Sequence, residues 1–188
     1  MKRITLLIAT LLISAMSYSQ EHMKFKGIPM DCTVKQFMAK LMLEGFKYVE
    51  TNEAGLITMA GHFAGDDVLL WLFDNTDGMI SAVCVVMDYN DLSWGSISED
   101  LDFYKDNLTK KYGRPSKVNI KYKYPYKKGS GNELLGFKLG RNMYNVMWDT
   151  KEGTIGMTFA SATNTILIIT YADEINQRVY TEREISDL

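Results

Sequence analysis

The chain is a succession of short apolar stretches separated by polar turns, which is the pattern of a hairpin-rich sheet. Three consecutive stretches, Leu56 to Ala64, Val68 to Phe73 and Met79 to Met87, are too short for buried helices and suit neighbouring strands. Gly78 can close the loop before the last of them. The pattern predicts an antiparallel meander at the centre of the fold. Because the second and third strands are apolar on both faces, we expect them to be covered on both sides or to present one face to a partner.

Two other segments repeat apolar residues every three or four positions, as amphipathic helices do. The first begins with a capping box formed by Thr33 and Gln36. The second is expected over Ile97 to Tyr112, behind a capping box formed by Ser96 and Glu99. In the first helix, the residues expected to be buried are Val34, Phe37, Met38, Leu41 and Met42.

Further strands are predicted on either side of the two helices. A short opening strand over Phe25 to Met30 precedes the first helix, and a basic strand over Lys117 to Tyr124 follows the second helix. The remaining elements are expected to be a short helix at Asn132 to Leu139, strands at Met143 to Asp149, Thr154 to Ala160 and Thr165 to Tyr171, and a last helix over 174 to about 186 capped by Asp173.

Hairpin-linked strands with few crossovers indicate an α+β fold, in which helices pack on one face of one or more antiparallel sheets. The order of one helix followed by several strands occurs twice. This order allows two pseudo-repeated halves, 20–93 and 94–188, although the two halves share too few identical residues to establish a duplication.

The N-terminus follows the plan of a secretory signal peptide. Lys2 and Arg3 precede an apolar run from Ile4 to Ile13, which is shorter than the roughly 20 residues that span a bilayer. We expect cleavage after Ser19, with Ser17 as the alternative. The prediction is therefore a signal peptide over 1–19 and a single domain over 20–188, exported to the periplasm or the medium. No cysteine lies near the cleavage point, which disfavours a lipoprotein, and the alternative is a retained membrane anchor.

The charge balance excludes a generic nucleic-acid binder. Removal of the signal peptide leaves 19 of the 21 basic residues against 23 acidic ones, a net charge of −4. The charges are also unevenly placed, since no Lys or Arg occurs between Lys47 and Lys105, and no Asp or Glu between Leu108 and Asn132. This distribution predicts an electrostatic dipole that can steer a charged partner.

A segment of alternating lysines and tyrosines is the candidate binding edge. Its functional interpretation is a groove for a polyanionic glycan, a lipid headgroup or an acidic protein. The alternative is an edge strand protected from unwanted pairing by Lys and Pro, with the tyrosines in the core, and this explains both residue types. The candidate residues are Lys117, Lys121, Tyr122, Lys123, Tyr124, Tyr126, Lys127 and Lys128.

A nucleophile and a base are the other candidate chemistry. Cys32 stands at a helix start, which lowers a thiol pKa, and His62 could serve as the base. The Asp-Cys-Thr start looks like the Asp-Cys-Ser of cell-wall peptidases with a papain-like core, but no glycine follows Thr33 and the strand signature around the histidine is missing. We therefore expect ordinary roles for both residues. His22, beside the cleavage point, is expected to be mobile.

No metal or cofactor motif stands out. The aspartates near Gly78 lack the regular spacing of a calcium loop, and the two His and two Cys have no zinc spacing. An exported chain permits a disulfide between Cys32 and Cys84, if their Cα atoms come within about 7 Å. The apolar neighbours of Cys84 favour a free thiol.

Several structural motifs together resemble those of a group of small exported proteins from gut anaerobes that have no assigned activity. In those relatives a small residue often stands at the position of Cys32, which implies that this thiol is not catalytic. The resemblance implies no function. The motifs are Phe25-Lys26-Gly27-Ile28-Pro29-Met30, a helix with Phe37 and Leu41 ending at Gly45-Phe46, and Tyr104 and Leu108 before Lys111-Tyr112-Gly113-Arg114-Pro115.

The first functional hypothesis is a non-enzymatic binding module that contacts a protein or glycan through a sheet face or the Lys117 to Lys128 edge. A second is a hydrolase of cell-wall or other polymers that uses Cys32 and His62. A third is an inhibitor of another exported enzyme, built like the tandem helix-and-sheet inhibitors of β-lactamase. No cofactor is implied.

Overall fold

The short apolar stretches form strands, as their length and alternation predict. This computed structural model describes residues 21–178, so the predicted signal peptide and the end of the last helix lie outside the described residues. The strands are β1 (Lys24–Phe25), β2 (Ile28–Pro29), β3 (Lys47–Thr51), β4 (Ile57–Phe63), β5 (Asp66–Asp74), β6 (Ile80–Asp88), β7 (Lys117–Lys121), β8 (Met143–Asp149), β9 (Gly153–Ala160) and β10 (Ile166–Asp173).

The helices are α1 (Val34–Leu43), α2 (Trp94–Tyr112) and α3 (Glu133–Lys138), and residues 174–178 begin a further helix. Thr33 and Gln36 form the predicted capping box of α1. None of the helices described within 21–178 is both long and apolar enough to cross a membrane.

Eight strands form one antiparallel sheet in the order β3-β4-β5-β6-β10-β9-β8-β7, and β1 pairs with β2 in a separate hairpin. The predicted α+β class with antiparallel sheets is confirmed. The order of the large sheet is symmetric about its centre: α1 precedes the meander β3 to β6, α2 precedes β7 to β10, and the last strands of the two meanders pair with each other. The repeated order of elements seen in the sequence is thus a repeated topology in the structure.

One face of the large sheet carries the helices and the hydrophobic core. Side chains alternate across a strand, so every second residue of the central strands faces this layer. The helices bury Val34, Phe37 and Leu41 of α1 and Ile97, Leu101, Tyr104 and Leu108 of α2 against Met59, Leu70, Val85, Val146, Met157 and Ile169 of the sheet.

Several predicted element boundaries are wrong for local reasons. The predicted strand from Phe25 is a hairpin, because Lys26 and Gly27 both have positive φ and form a tight two-residue turn. In α1, Met42 is 45% exposed, since only the narrower stripe of the helix meets the sheet. The basic strand ends at Lys121, so Tyr122 to Tyr124 do not continue its alternation.

The N-terminal His22 is held in place, so the prediction that it is mobile was wrong. The carboxylate of Asp173 is fully buried and lies 3.1 Å from His22 Nδ1. It also accepts hydrogen bonds from the Met23 amide at 2.7 Å and the Asn176 amide at 2.8 Å. The last contact confirms the predicted cap, and the first two fasten the start of the described chain to its end.

Candidate functional site

The face of the large sheet opposite the helices is the candidate functional site, and we call it the open face. Within residues 21–178 no helix packs on it. It consists of the other set of alternating side chains, to which Leu69, Trp71 and Phe73 of β5 belong. Leu69 is 41% exposed and Phe73 is 40% exposed. Large apolar side chains therefore project into solvent from a central part of the sheet.

Strand β6 forms the floor beside this apolar patch. Ala82, Cys84 and Val86 lie on the open face, and all are buried, because larger side chains of β5 flank them. Cys84 Sγ lies 3.3 Å from Thr170 Oγ1 on β10. Burial raises the pKa of the Cys84 thiol, and this hydrogen bond opposes the rise. The thiol is therefore a small neutral part of the floor.

A cavity of about 410 Å³ opens over the patch. Its apolar walls come from Leu69, Trp71 and Ile166, and its rim carries the carboxylates of Asp67 and Asp88. Asp67 lies 2.8 Å from His62 Nδ1, in an ion pair whose two side chains are both largely exposed. An apolar floor with two acidic groups at one end suits an apolar side chain next to a Lys or Arg.

The other half of the open face is mainly polar, although Met143 and Met147 of β8 are 42% and 36% exposed there. A second depression, of about 370 Å³, is lined by side chains of β7 to β10. The hydroxyl and amide groups there can both donate and accept hydrogen bonds. They are Asn119, Asn145, Thr154, Thr158 and Thr170.

The predicted lysine and tyrosine segment does not form one surface. Lys117 and Lys121 lie on the open face at the edge strand β7, where the sequence placed an edge. Tyr122 turns inward, with its ring centroid 5.8 Å from that of Phe137. Burial raises the pKa of Tyr122, and the nearby carboxylate of Glu133 adds to the rise.

The rest of this segment is a loop whose backbone is held by hydrogen bonds to the side chain of Asn142. Lys123 donates its amide hydrogen to Asn142 Oδ1 at 3.0 Å, and Asn142 Nδ2 donates to the Tyr126 carbonyl at 3.0 Å. Tyr124 is 82% exposed, and Lys127 Nζ lies 5.4 Å from its ring centroid. The remaining residue, Lys128, is exposed as well.

The structure keeps Cys32 and His62 apart. The carbonyl of Cys32 accepts a hydrogen bond from the Ile80 amide, at the start of β6. His62 pairs with Asp67, and the register places Asp67 level with the far end of β6. At ~3.3 Å per residue, the length of β6 separates the thiol and the imidazole by roughly 25 Å. A hydrogen-bonded catalytic pair is therefore excluded, and both cysteines are free.

Within residues 21–178, no group of three or more His, Cys, Asp and Glu side chains is placed to hold a metal ion. Comparison of the chain with protein-family models, curated proteins and solved structures found no match. The sequence indicated the open face only through the apolar residues on both sides of β5 and β6, and nothing in it joined Ile166 to Trp71 and Leu69.

Proposed function

We propose that the protein is a non-enzymatic binding module that docks another protein on the open face. The observation that carries this proposal is the apolar patch formed by the exposed Leu69 and Phe73 and the half-buried Trp71 on the helix-free side of the sheet. Contiguous exposed apolar surface is typical of interaction sites. An inhibitor of another exported enzyme would be one such module.

The size of the open face supports a protein as the partner. Strands spaced ~4.8 Å apart make an eight-stranded sheet ~34 Å wide, and central strands of eight or nine residues make it ~26 Å long. The face therefore offers roughly 800 to 900 Å², which is the area that each partner buries in a typical stable complex.

A second copy of the chain fits this face poorly. A two-fold axis parallel to the strands and through the middle of the sheet would set the apolar patch of one copy against the mainly polar side chains of β8 and β9 in the other. An axis across the strands would set Asp67 and Asp88 against the end of the patch that holds Phe73 and Ala82. In neither arrangement does the apolar patch meet another apolar surface while Asp67 and Asp88 meet a cationic side chain. A different protein is therefore favoured as the partner.

Photo-crosslinking tests the proposal at single residues. p-Benzoylphenylalanine is placed in the full chain at Leu69, at Thr158 on the polar half, or at Leu43, which is 88% exposed at the end of α1. Each chain is irradiated with envelope and secreted proteins of the source cell. We expect one and the same polypeptide to be linked at Leu69 and Thr158 but not at Leu43.

Competition makes the result specific. Excess native chain should suppress the crosslink, whereas chains carrying Trp71→Glu or Leu69→Glu, shown to be folded by circular dichroism, should not. Crosslinks between copies of the chain, or at Leu43 alone, would contradict the proposal. So would oligosaccharide binding that is lost with Trp71→Ala, because the partner would then be a glycan. If instead only a chain with Lys123, Lys127 and Lys128 changed to Glu fails to compete, the partner binds the basic loop.

A further inference from the structure

A cavity of about 360 Å³ lies on the helix side of the sheet, between α2 and the loop that leads into α3. Three aromatic rings line it: Trp94 at the start of α2, Tyr122 after β7, and Tyr144 on β8. The carboxyl groups of Asp102 and Glu133 also line it. The cavity is separate from the open face, because Tyr144 belongs to the side-chain set that faces the helices.

Glu133 is the unusual member of this group. Only 3% of it is exposed, and its Oε1 accepts a hydrogen bond from the Gly129 amide. Its other carboxyl oxygen, Oε2, is buried and has no hydrogen-bond partner among residues 21–178. Buried carboxylates are normally paired, since an unpaired charge away from water is costly. The site therefore lacks a hydrogen-bond donor that would face Glu133.

The lysines around the cavity do not supply this donor. Lys105 Nζ lies 2.8 Å from Asp102 Oδ1, so its charge is already engaged at the rim. Lys128 is exposed, and within the described part of the chain no carboxylate lies within 4.0 Å of its ammonium group. A cation from outside the chain would therefore meet an unpaired carboxyl oxygen.

The aromatic walls favour the same kind of ligand. Burial raises the pKa of Tyr122, and the carboxylates of Glu133 and Asp102 raise it further. The pKa of Tyr144 is raised by burial and then by Asp102. Both hydroxyls are therefore neutral. Aromatic faces attract ammonium and guanidinium groups, most strongly where water is excluded.

We propose that this cavity binds a small organic cation, an ammonium or guanidinium group on a short carbon chain. The cation donates to Glu133 Oε2, and its carbon chain packs against Trp94 and Tyr122. Asp102 at the rim balances the charge of Lys105, so that this ammonium group does not repel the ligand. This proposal stands independently of the protein partner on the open face.

The experiment titrates the full chain with n-butylammonium, n-butylguanidinium and neutral 1-butanol, and follows the Trp94 indole signal by nuclear magnetic resonance. We expect saturable shifts with the two cations and none with the alcohol. Glu133→Gln keeps the shape of the side chain and removes its charge, so cation affinity should fall at least about tenfold. Glu99→Gln, at an exposed position on the same helix as Trp94, is the control and should bind like the native chain.

Three results would overturn the proposal. They are no cation binding by the native chain, equal binding of 1-butanol, and unchanged cation affinity in Glu133→Gln. If Glu133→Gln does not fold, Asp102→Asn decides, because its side chain is 58% exposed and can be changed without loss of the core. Its affinity for the cation should fall by about threefold. An unchanged affinity in that variant would also overturn the proposal.

Discussion

At the scale of single residues, the two thiols have different surroundings. Cys84 is buried in the floor of the open face beside Thr170. Cys32 is half-buried before α1, with Lys40 Nζ 3.5 Å from its sulfur. Neither is part of a disulfide. Their reactivity should therefore differ, because only the thiolate form attacks an alkylating reagent and the reagent must reach it.

Iodoacetamide at pH 8 should modify Cys32 and spare Cys84 in the folded protein. Because burial raises the pKa of Cys84, its thiolate fraction at pH 8 is lower than that of an ordinary thiol, and the reagent cannot reach it. Mass spectrometry of the labelled peptides measures the two rates. Cys32→Ser should leave no fast-reacting thiol. Equal labelling rates of the two native cysteines would contradict the buried placement of Cys84.

Some contacts of single residues could be predicted from the sequence and others could not. The cap formed by Asp173 was predictable, because its partner Asn176 is three positions away. The contact of Asp173 with His22 was not, since 151 positions separate them. The buried Glu133 was missed for the same reason: no sequence signal distinguishes a buried glutamate from an exposed one when the tyrosines and the loop that cover it come from elsewhere.

At the scale of elements, the N-terminus of α2 shows which of two serines caps the helix. The sequence favours Ser96 with Glu99, but the helix begins at Trp94, and Ser93 Oγ accepts a hydrogen bond from the Ser96 amide at 3.3 Å. The packing of Trp94 in the first turn favours Ser93 as the cap. The Trp94 ring lies 5.2 Å from that of Phe137 and 6.0 Å from that of Phe159, centroid to centroid, which holds the first turn against the core.

Ser93→Ala should therefore destabilise the protein by about 1 kcal/mol, because it removes the side-chain acceptor for an otherwise unpaired amide of the first turn. Ser96→Ala keeps that acceptor and should cost no more than about 0.5 kcal/mol, as is usual for surface positions. Urea unfolding followed by circular dichroism gives both free energies. A larger loss for Ser96→Ala than for Ser93→Ala would place the cap where the sequence alone suggested it.

Most other elements were predictable because their signals are local. The strands of the central meander needed only short apolar runs, alternation and the turn at Gly78, which has φ 73°. The end of β7 was misplaced because Lys121 to Tyr124 keep the alternation of a strand in sequence. In the structure the side chain of Asn142, just before β8, accepts a hydrogen bond from the Lys123 amide and holds this segment in a loop. The candidate binding edge was therefore divided between the sheet, the core and a loop.

At the scale of the whole molecule, the decisive contact is the pairing of β6 with β10. It joins the two meanders into one sheet, and Ala82 pairs with Ala172 across it. Local patterns predicted the hairpins inside each half but could not predict this pairing, because it links strands from opposite halves of the chain. The open face exists only as a result of this pairing.

Neither half should fold alone. In a fragment of residues 21–93, β6 would become an edge strand whose apolar residues on both faces lose their neighbours on β10. We expect the fragments 21–93 and 94–178 to be unfolded or aggregated when separate, and to regain sheet structure when refolded together. Circular dichroism and amide hydrogen exchange measure both states. A native-like, protected spectrum of 21–93 by itself would show that the halves are independent domains.

The central position of β10 also determines when the large sheet can form during synthesis of the chain. β10 is the last strand of the large sheet to be made on the ribosome, yet it fills the gap between the two meanders. The sheet cannot be completed until β10 has been synthesised, and β6 remains uncovered until then. The large sheet should thus stay incomplete while its earlier strands are made and close in a single step when β10 arrives.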